Sequence, residues 1–421
     1  MLYERWQATV RRHAGELALV DGATGKRWTF AELAGAVERL PPVGNPVVTP
    51  QGQGLEFIMA VLTAWRDGRP VLPVEGSATV FSGRCASDVA HFKTTSGTTG
   101  ASQLVAFTAG QLAADADNIV ATMGLHPARP NLGVISLAHS YGFSNLVTPL
   151  LLHGIPLVLC PSPMPEVVKA AAAGFESLAL PAVPALWSAW NDADAIPRNV
   201  TLAISAGAPL SLELEASVFS RVGLKLHNFY GSSECGGIAY DDSNEPRMEA
   251  ALAGRPLENV ALSLADDGCL VVGGAAVGLG YQPDGDARLA AGRFHTSDLA
   301  ELREGGVLLR GRSSDVINIA GRKLSPETVE FVIRKQAGVR ECVVVGVPAR
   351  DEVRGEEGLA VVALSEGGSL DLIRRSTTAE LPAWQCPRHW WVVPEIPVNQ
   401  RGKIARREWR ERFLAARQSA D

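Results

Sequence analysis

Strand-like and helical stretches alternate through the middle of the chain, and this alternation limits the folds that the chain can adopt. Strand-like apolar runs recur at residues 132–136, 156–159, 178–180 and 202–205. Stretches with apolar residues at helical spacing separate them at residues 166–173, 185–193 and 212–222. Strands that alternate with helices pair in parallel, and the helices cover both faces of the sheet. We therefore predict an α/β fold with parallel sheets flanked by helices.

The pattern changes after about Ala251, where short strands and glycine turns indicate a small β-rich subdomain. From Arg312 onward, a compact strand–helix–strand pattern ends in a polar helix at residues 406–418. The chain has 421 residues, of which 46% are hydrophobic, and this length exceeds what one domain core usually holds. We predict a large N-terminal domain at residues 1–311 and a smaller α+β domain at residues 312–421.

Composition excludes several classes of protein. The net charge is −6 and the Lys and Arg residues are dispersed, whereas a nucleic-acid-binding protein needs a concentrated basic face. The six cysteines lack metal-ligand spacing and several lie in apolar runs, which favours buried free thiols in a reducing compartment. The most apolar region, residues 146–160, is interrupted by two prolines and is too short for a bilayer span. With no signal sequence core at the N-terminus, we expect a cytoplasmic protein.

Seven consecutive small residues, Thr94 to Gly100, are all hydroxylated or glycine. Such a segment has few side chains to bury, but it offers many backbone N–H groups and hydroxyls, and its glycines allow close approach to a ligand. These properties are suited to surrounding an oligophosphate. The segment lacks the Gly-Lys-Ser/Thr of the Walker pattern. Taken alone, it is also compatible with a flexible linker.

Two further segments follow predicted strands, at the sheet edge where flat ligands bind in α/β folds. Residues 205–210 are mostly small, which fits either backbone exposed to a ligand or an ordinary strand-to-helix turn. Residues 228–234 place Tyr230 and Glu234 after the next strand. Tyr230 is suited to stack on a base and Glu234 to hold a hard cation. The alternative is a core tyrosine and a surface glutamate.

Charged residues in three later segments have both a ligand-binding and a structural interpretation. Asp298 either accepts both hydroxyls of a ribose or caps a turn. Arg312 either binds a ribose or phosphate beside a hinge at Ser314 and Asp315, or belongs to a charged linker. Lys403 follows a glycine turn near the C-terminus, a place where most lysines are simply solvated.

The order and spacing of these six segments resemble the motif series of the ANL superfamily of adenylating enzymes, which includes acyl-CoA synthetases, adenylation domains of peptide synthetases and luciferases. The small-residue loop is similar to the family's phosphate loop. Residues 230–234 resemble Tyr-Gly-x-Thr-Glu with Ser233 for Thr, and residues 294–298 resemble Phe-His-Thr-Gly-Asp with Ser297 for Gly. Residues 310–324 resemble the hinge motif, and residues 397–403 the terminal Pro-x-x-x-x-Gly-Lys. The resemblance covers nearly the whole chain.

The resemblance implies that a carboxylate attacks the α-phosphate of ATP to give an acyl-adenylate, and that a thiol then displaces AMP. The implied cofactors are ATP, Mg²⁺ and coenzyme A, or the phosphopantetheine of a carrier protein. Lys403 is implied to neutralise the charge that builds as the carboxylate meets the phosphate. Glu234 and Thr98 are implied ligands of Mg²⁺. Rotation of the C-terminal domain about Ser314 is implied to remove Lys403 and open a thiol tunnel near Gly321.

The remaining implied site residues carry over from the same motifs. The implied phosphate contacts are Thr95, Ser96, Gly97, Thr98, Thr99 and Gly100. Gly207, Ala208 and Pro209 are implied to line the adenine, Tyr230 to stack on it, and Asp298 and Arg312 to fix the ribose. The other implied cofactor-binding residues are Asn228, Phe229, Gly231 and Ser233. Ser314 and Asp315 form the implied hinge. His139 resembles the residue that gates the acyl pocket, with a core histidine as the alternative.

The chain departs from the family pattern in two places. The phosphate loop continues with Ala101-Ser102-Gln103 where the family has a lysine, so we expect weaker ATP binding or a slower first step rather than loss of activity. Only about 20 residues separate Val74 from the loop. The family has several times more, so one N-terminal subdomain is expected to be trimmed. Transfer to a carrier protein is then more plausible than in a full-length relative.

The residues leave the acyl substrate and the acceptor open. Small residues at 235–237 and Ala206 suggest a pocket for an aryl or an extended acyl acid. The leading interpretation is an acyl- or aryl-CoA synthetase. The alternatives are a ligase that loads an acyl-carrier protein, a β-lactone- or amide-forming adenylase, and a non-catalytic nucleotide-binding scaffold. The expected partner is a small carboxylic acid, with a carrier protein as the alternative acceptor.

Overall fold

The computed structural model describes residues 1–75, 86–95, 103–349, 355–397 and 404–418. The chain divides into two compact units. The first comprises residues 1–263, 271–296 and 302–308, and the second comprises residues 264–270, 297–301 and 309–421. Among the described residues, no helix has the length and apolar character needed to cross a membrane.

The first unit starts with mixed helices and strands. In chain order these are α1 (Leu2–His13), β1 (Leu17–Asp21), β2 (Arg27–Thr29), α2 (Phe30–Glu38), α3 (Leu55–Arg66), β3 (Val89–Thr94), β4 (Leu104–Thr108), α4 (Ala109–Met123), β5 (Asn131–Gly133), α5 (Ser140–Gly142), a π-helix (Phe143–Val147), α6 (Thr148–His153), β6 (Leu157–Leu159), α7 (Pro165–Ala172), β7 (Leu178–Ala182), α8 (Pro184–Asp192), β8 (Val200–Ser205), α9 (Leu212–Val222), β9 (Leu226–Ser232) and β10 (Gly236–Tyr240).

The chain between these elements and residue 312 is rich in short strands. They are β11 (Leu252–Pro256), β12 (Ala261–Leu264), β13 (Cys269–Gly273), β14 (Gly280–Gln282), β15 (Leu289–Ala290), β16 (Arg293–Arg303) and β17 (Gly306–Arg312). The predicted β-rich segment after residue 251 is therefore confirmed.

A large sheet organises the first unit, in the order β11-β10-β9-β8-β7-β5-β6-β1-β2. All pairs from β9 to β1 are parallel, and antiparallel pairs lie at both ends. This arrangement confirms the predicted parallel sheet. Because β8 and β9 are adjacent and parallel, their carboxyl ends meet at one edge, where ligands bind in open α/β sheets.

Helices cover both faces of this sheet. In β7, Leu178 and Leu180 point to a cluster that contains Trp187 and Trp190 of α8. The intervening Ala179 belongs to a second cluster that contains helix residues such as Ile119. Successive side chains of a strand alternate between faces, so a strand that is buried on both sides must be apolar at every position. This is why β7 is an uninterrupted apolar run, with all five residues buried.

A buried cluster of charges lies at the start of β9. The Glu215 side chain is 0% exposed and accepts hydrogen bonds from the backbone N and the Nε of Arg247, both at 2.9 Å, and from Lys225 Nζ. Lys225 Nζ also donates to Asp241 Oδ2 at 2.6 Å. Each buried charge has an opposite partner, as burial requires. The cluster joins α9 to the two ends of the β9–β10 hairpin.

The strand-like run Val71-Leu72-Pro73-Val74 predicts a short strand, and this prediction is wrong. Only Val71 makes isolated parallel bridges, with Val48 and His91. Pro70 and Pro73 lack the N–H groups that a regular ladder needs.

The second unit is an α+β arrangement, as predicted. Its elements after β17 are β18 (Ile317–Ile319), β19 (Arg322–Leu324), α10 (Pro326–Arg334), β20 (Val339–Pro348), β21 (Glu356–Leu364), α11 (Leu370–Glu380), β22 (His389–Val393) and α12 (Arg406–Gln418). β20 pairs antiparallel with β21, and β21 pairs parallel with β22.

Of the cysteines in the described part of the chain, all five are free and four are buried.

Candidate active site

The strands β3 and β4 form a hairpin whose connecting loop is the predicted phosphate loop. Thr94 pairs with Leu104, and beyond them the Thr95 backbone N donates to Gln103 O at 2.9 Å. Gln103 N in turn donates to Thr95 Oγ1 at 3.1 Å. These bonds close the neck of the loop. Of the predicted phosphate contacts only Thr95 is described; Ser96, Gly97, Thr98, Thr99 and Gly100 lie outside the described residues.

Ser233 joins three predicted site segments. Its hydroxyl donates to the carbonyl oxygen of Thr94 at 3.1 Å, next to the neck of the loop. The same Oγ lies 2.8 Å from Ser140 Oγ. Since Ser233 has one hydroxyl proton and donates it to Thr94, we infer that Ser140 is the donor in the second bond. The structure therefore brings the phosphate-loop strand, the segment after His139 and the Tyr230–Glu234 segment together through one side chain.

Glu234, the predicted magnesium ligand, is held by a residue that the sequence did not indicate. Tyr281 in β14 donates its hydroxyl to Glu234 Oε1 at 3.0 Å. Burial and the negative charge of Glu234 raise the pKa of Tyr281, so the hydroxyl keeps its proton and remains a donor. The two residues are 47 positions apart, and Tyr281 reaches Glu234 because β14 pairs with β4.

His139 lies at the N-terminus of the short helix α5, half-buried, where its Nδ1 accepts a hydrogen bond from the backbone N of Tyr141 at 3.3 Å. A π-helix follows directly, and such irregular turns are frequent at functional sites. Gly142 is required here, because a Cβ at this position would lie 2.0 Å from Ser136 O. The role of His139 at an acyl pocket stays a prediction.

The carboxyl end of β8 exposes small residues. Gly207 has φ +89° and is exposed, as is Pro209, and Ala208 is half-buried. At the end of the strand, Ser205 Oγ is a buried polar atom without a hydrogen-bond partner among the described residues. An unpaired buried hydroxyl at the edge of a sheet suits a site that a polar ligand completes.

The predicted adenine segment lies inside β9 rather than after it. Tyr230 is half-buried and Gly231 is exposed. Phe229 belongs to a hydrophobic cluster, with its ring 5.9 Å from that of Tyr141. Asn228 Nδ2 donates to the carbonyl oxygens of Leu252 and Ala253. The side chains of Phe229 and Asn228 therefore support the strand, and any contact that they make with a nucleotide stays a prediction.

In the second unit the structure brings Arg312 and Asp298 together. Arg312 Nε donates to Asp298 Oδ1 at 3.1 Å. Beyond Arg312, Ser313 N donates to Ser297 O at 2.7 Å, and Ser314 is exposed. Gly321 has φ +81° and is also exposed.

Arg406 is a second residue that the sequence interpretation missed. Its guanidinium contacts Asp315 Oδ2 at 3.3 Å, Glu327 Oε1 at 2.9 Å, and Glu330. Burial alone would lower the pKa of Arg406, but these three carboxylates raise it. Lys403, three residues earlier in the chain, lies outside the described residues. The predicted hinge residue Asp315 and the segment that follows Lys403 are therefore linked by one side chain.

Comparison with known proteins identifies the family. A family model of AMP-binding enzymes matches residues 52–282, which is more than half of the chain, and the model of the AMP-binding enzyme C-terminal domain matches residues 328–403. The chain belongs to the AMP-binding enzyme family. It is thus a member of the ANL superfamily, as its motifs indicated.

This AMP-binding enzyme is similar to curated proteins that are named for CoA-dependent activities. It is 28% identical to a salicylyl-CoA synthase / salicylate adenylyltransferase from a Streptomyces species, over 77% of this chain and 63% of the relative. It is 29% identical to a probable 2-succinylbenzoate–CoA ligase from Mycobacterium tuberculosis, over 77% of this chain and 85% of the relative. The chain therefore spans less than two thirds of the length of the Streptomyces relative.

The fold of the AMP-binding enzyme also matches a solved structure. It is similar to o-succinylbenzoate coenzyme A synthetase from Bacillus subtilis in complex with ATP and magnesium ion, with a TM-score of 0.83 and 21% identity over 96% of this chain and 98% of that one. At this identity the likeness shows the fold.

Proposed function

We propose that this AMP-binding enzyme is an AMP-forming acid–thiol ligase that activates an aryl or fatty acyl acid with ATP and transfers the acyl group to the thiol of coenzyme A. The observation that carries the proposal is the junction at Ser233, which joins the neck of the phosphate loop to the segment that bears Glu234 and to the segment after His139. A reaction between a nucleotide phosphate and a carboxylic acid needs a phosphate loop, a metal ligand and an acyl wall side by side.

The residues fit Mg²⁺ at Glu234. Mg²⁺ prefers carboxylate oxygens and usually binds one or two carboxylates together with phosphates. Tyr281 holds Glu234 through Oε1, so the carboxylate has a fixed direction. Bound there, Mg²⁺ would supply positive charge to the phosphate oxygens.

The residues of the chain then perform two steps. In the first, they orient the carboxylate so that one of its oxygens bonds to the α-phosphorus, while the bond from that phosphorus to the bridging oxygen breaks and pyrophosphate leaves. Lys403 stabilises the transition state by its charge, without a proton transfer. In the second step the thiol sulfur bonds to the acyl carbon, the mixed anhydride breaks and AMP leaves, with the thiol proton released to solvent.

We propose that the C-terminal domain changes its orientation between these two steps. Arg312 would hold the ribose together with Asp298. Ser314 and Asp315 would form the hinge between an N-terminal domain at residues 1–311 and a C-terminal domain at residues 312–421.

We propose the cytoplasm as the location of the enzyme. Coenzyme A is the proposed acceptor because the chain is similar to a salicylyl-CoA synthase and to a probable 2-succinylbenzoate–CoA ligase. A carrier protein is the alternative acceptor.

The test is pyrophosphate release with ATP, Mg²⁺ and a panel of aryl and fatty acids, with and without coenzyme A. Release that depends on one class of acid and falls at least about a hundredfold in Lys403→Ala is the expected result, because one positioned charge in a transition state is worth that much. Arg407→Ala is the matched control, since Arg407 lies on the exposed surface of α12 and pairs only with Glu411 in the described part of the chain. Release that is equal in both variants would contradict the role of Lys403.

A further inference from the structure

A buried ion pair connects β3 with α4, and the proposed mechanism does not use it. Lys93 Nζ lies 3.0 Å from Asp115 Oδ2, and the two side chains are 1% and 3% exposed. Lys93 also donates to Ser144 Oγ at 3.1 Å, and Ser144 donates to Asp115 Oδ2 at 2.6 Å. The other carboxylate oxygen, Oδ1, accepts the backbone N–H of Gly237 at 3.0 Å. We call these four residues the Lys93–Asp115 network.

Three of the four network residues lie close in sequence to a predicted part of the site. Lys93 precedes the phosphate loop, whose neck begins at Thr95. Gly237 follows Glu234 by three residues, and Ser144 lies in the π-helix that follows His139 by four residues. A buried ion pair gives little net stability over an apolar pair of the same volume, so stability alone does not account for it. A buried pair does fix geometry, because both charges must keep their partners.

The backbone beside the network fits around the carboxylate. Gly236 has φ +73°, and a Cβ at this position would lie 2.0 Å from Asp115 Oδ1. The carboxylate therefore occupies the space that a side chain of residue 236 would take. This close fit holds the turn between Glu234 and β10 against α4.

We propose that Lys93 and Asp115 are positioning residues that hold the turn carrying Glu234 at a fixed place relative to β3, so that Glu234 meets a metal ion bound to the phosphates of the nucleotide. The proposal rests on the function proposed above. It predicts that the network contributes to the part of ATP affinity that depends on Mg²⁺.

The test replaces the pair by apolar residues of similar volume, Lys93→Met with Asp115→Leu, and measures nucleotide binding by calorimetry with Mg²⁺ and with a chelator. We expect the Kd for ATP with Mg²⁺ to rise at least about fivefold and the Kd without Mg²⁺ to change less than about twofold. The reason is that the pair supplies the precise placement of Glu234, the proposed metal ligand. Thermal unfolding should shift modestly to lower temperature, because the ion pair itself gives little net stability but the Ser144 hydroxyl and the Gly237 N–H lose their acceptor. Val168→Ala, a buried residue of α7 outside the network, controls for a general loss of stability and should leave both Kd values unchanged.

Wild-type Kd values in the double variant would overturn the proposal, and so would an equal loss with and without Mg²⁺. If the double variant does not fold, Asp115→Asn is measured in the same way. We expect its Kd for ATP with Mg²⁺ to rise about threefold. An unchanged Kd would refute the proposal. Pyrophosphate release by the wild type is measured in parallel. A wild type that binds ATP but activates no acid would contradict the proposed function, while the binding comparison would still decide the role of the network.

Discussion

The hydrogen bond from Tyr281 to Glu234 gives the sharpest prediction about the site. Tyr281→Phe removes one hydroxyl and keeps the ring, which is 6% exposed. A hydrogen bond to a charged group contributes about 1.5–3 kcal/mol when it is fully buried. Glu234 is half-buried, so water replaces part of this bond and its contribution falls below that range, to about 1–1.5 kcal/mol. This energy corresponds to a rise of about five- to twelvefold in the Kd for ATP with Mg²⁺.

The chain offers a matched control for this substitution. Tyr3 donates its hydroxyl to Glu38 Oε1 at 2.5 Å, so Tyr3→Phe removes the same kind of bond between helices α1 and α2. Calorimetric titration of both variants with ATP and Mg²⁺ is the assay, and Tyr3→Phe should bind as the wild type does. Wild-type affinity in Tyr281→Phe, or the same loss in both variants, would refute the assignment of Tyr281 to the metal ligand.

Three further predictions concern the loop, the core and acid stability. Gln103→Lys should lower the ATP KM or raise the rate of pyrophosphate release. Gln103 bonds to Thr95 at the neck of the loop through its backbone, and its side chain is exposed, so a lysine at this position can supply the cation that the family has. Unchanged kinetics would contradict this prediction. Glu215→Ala should reduce the free energy of unfolding by about 3–5 kcal/mol, because it leaves the buried guanidinium of Arg247 without its carboxylate partner. Glu166→Ala, at an exposed pair, should cost under about 1 kcal/mol in the same denaturant titration. Burial, with a contribution from a neighbouring lysine, holds the pKa of His91 well below its usual value, so the unfolded chain binds a proton that the folded chain does not. The free energy of unfolding should therefore fall as the pH drops below about 6.5. Urea titrations of His91→Phe should show a smaller fall over the same pH range.

The sequence predicted those elements whose signals are local. The helix predicted at residues 212–222 has the observed bounds of α9, because Ser211 caps its N-terminus and Gly223 ends it with φ +68°. The strands β7 and β8 were predicted from apolar runs that are buried on both faces. At residues 70–74 an apolar run competes with Pro70 and Pro73, and the prolines prevent a regular strand.

Much of the candidate site could not be predicted because it depends on contacts between distant residues. The bond between Tyr281 and Glu234 follows from the pairing of β14 with β4, which no local pattern indicates. Lys93 and Asp115 are 22 positions apart, and each resembles an ordinary surface charge when it is considered alone. Motifs identified the residues that would contact ligands, whereas the residues that hold them became visible only in three dimensions.

The close fit of Gly236 around the Asp115 carboxylate also restricts how this enzyme can diverge. A mutation that adds a side chain at position 236 collides with Asp115 Oδ1 as long as the carboxylate is present. Loss of the carboxylate leaves the ammonium of Lys93 buried without its partner. A change of residue at position 236 therefore becomes accessible only after replacements at both charged positions, so the order of mutations matters. Descendants of this enzyme are therefore expected to retain glycine at position 236 while other positions change.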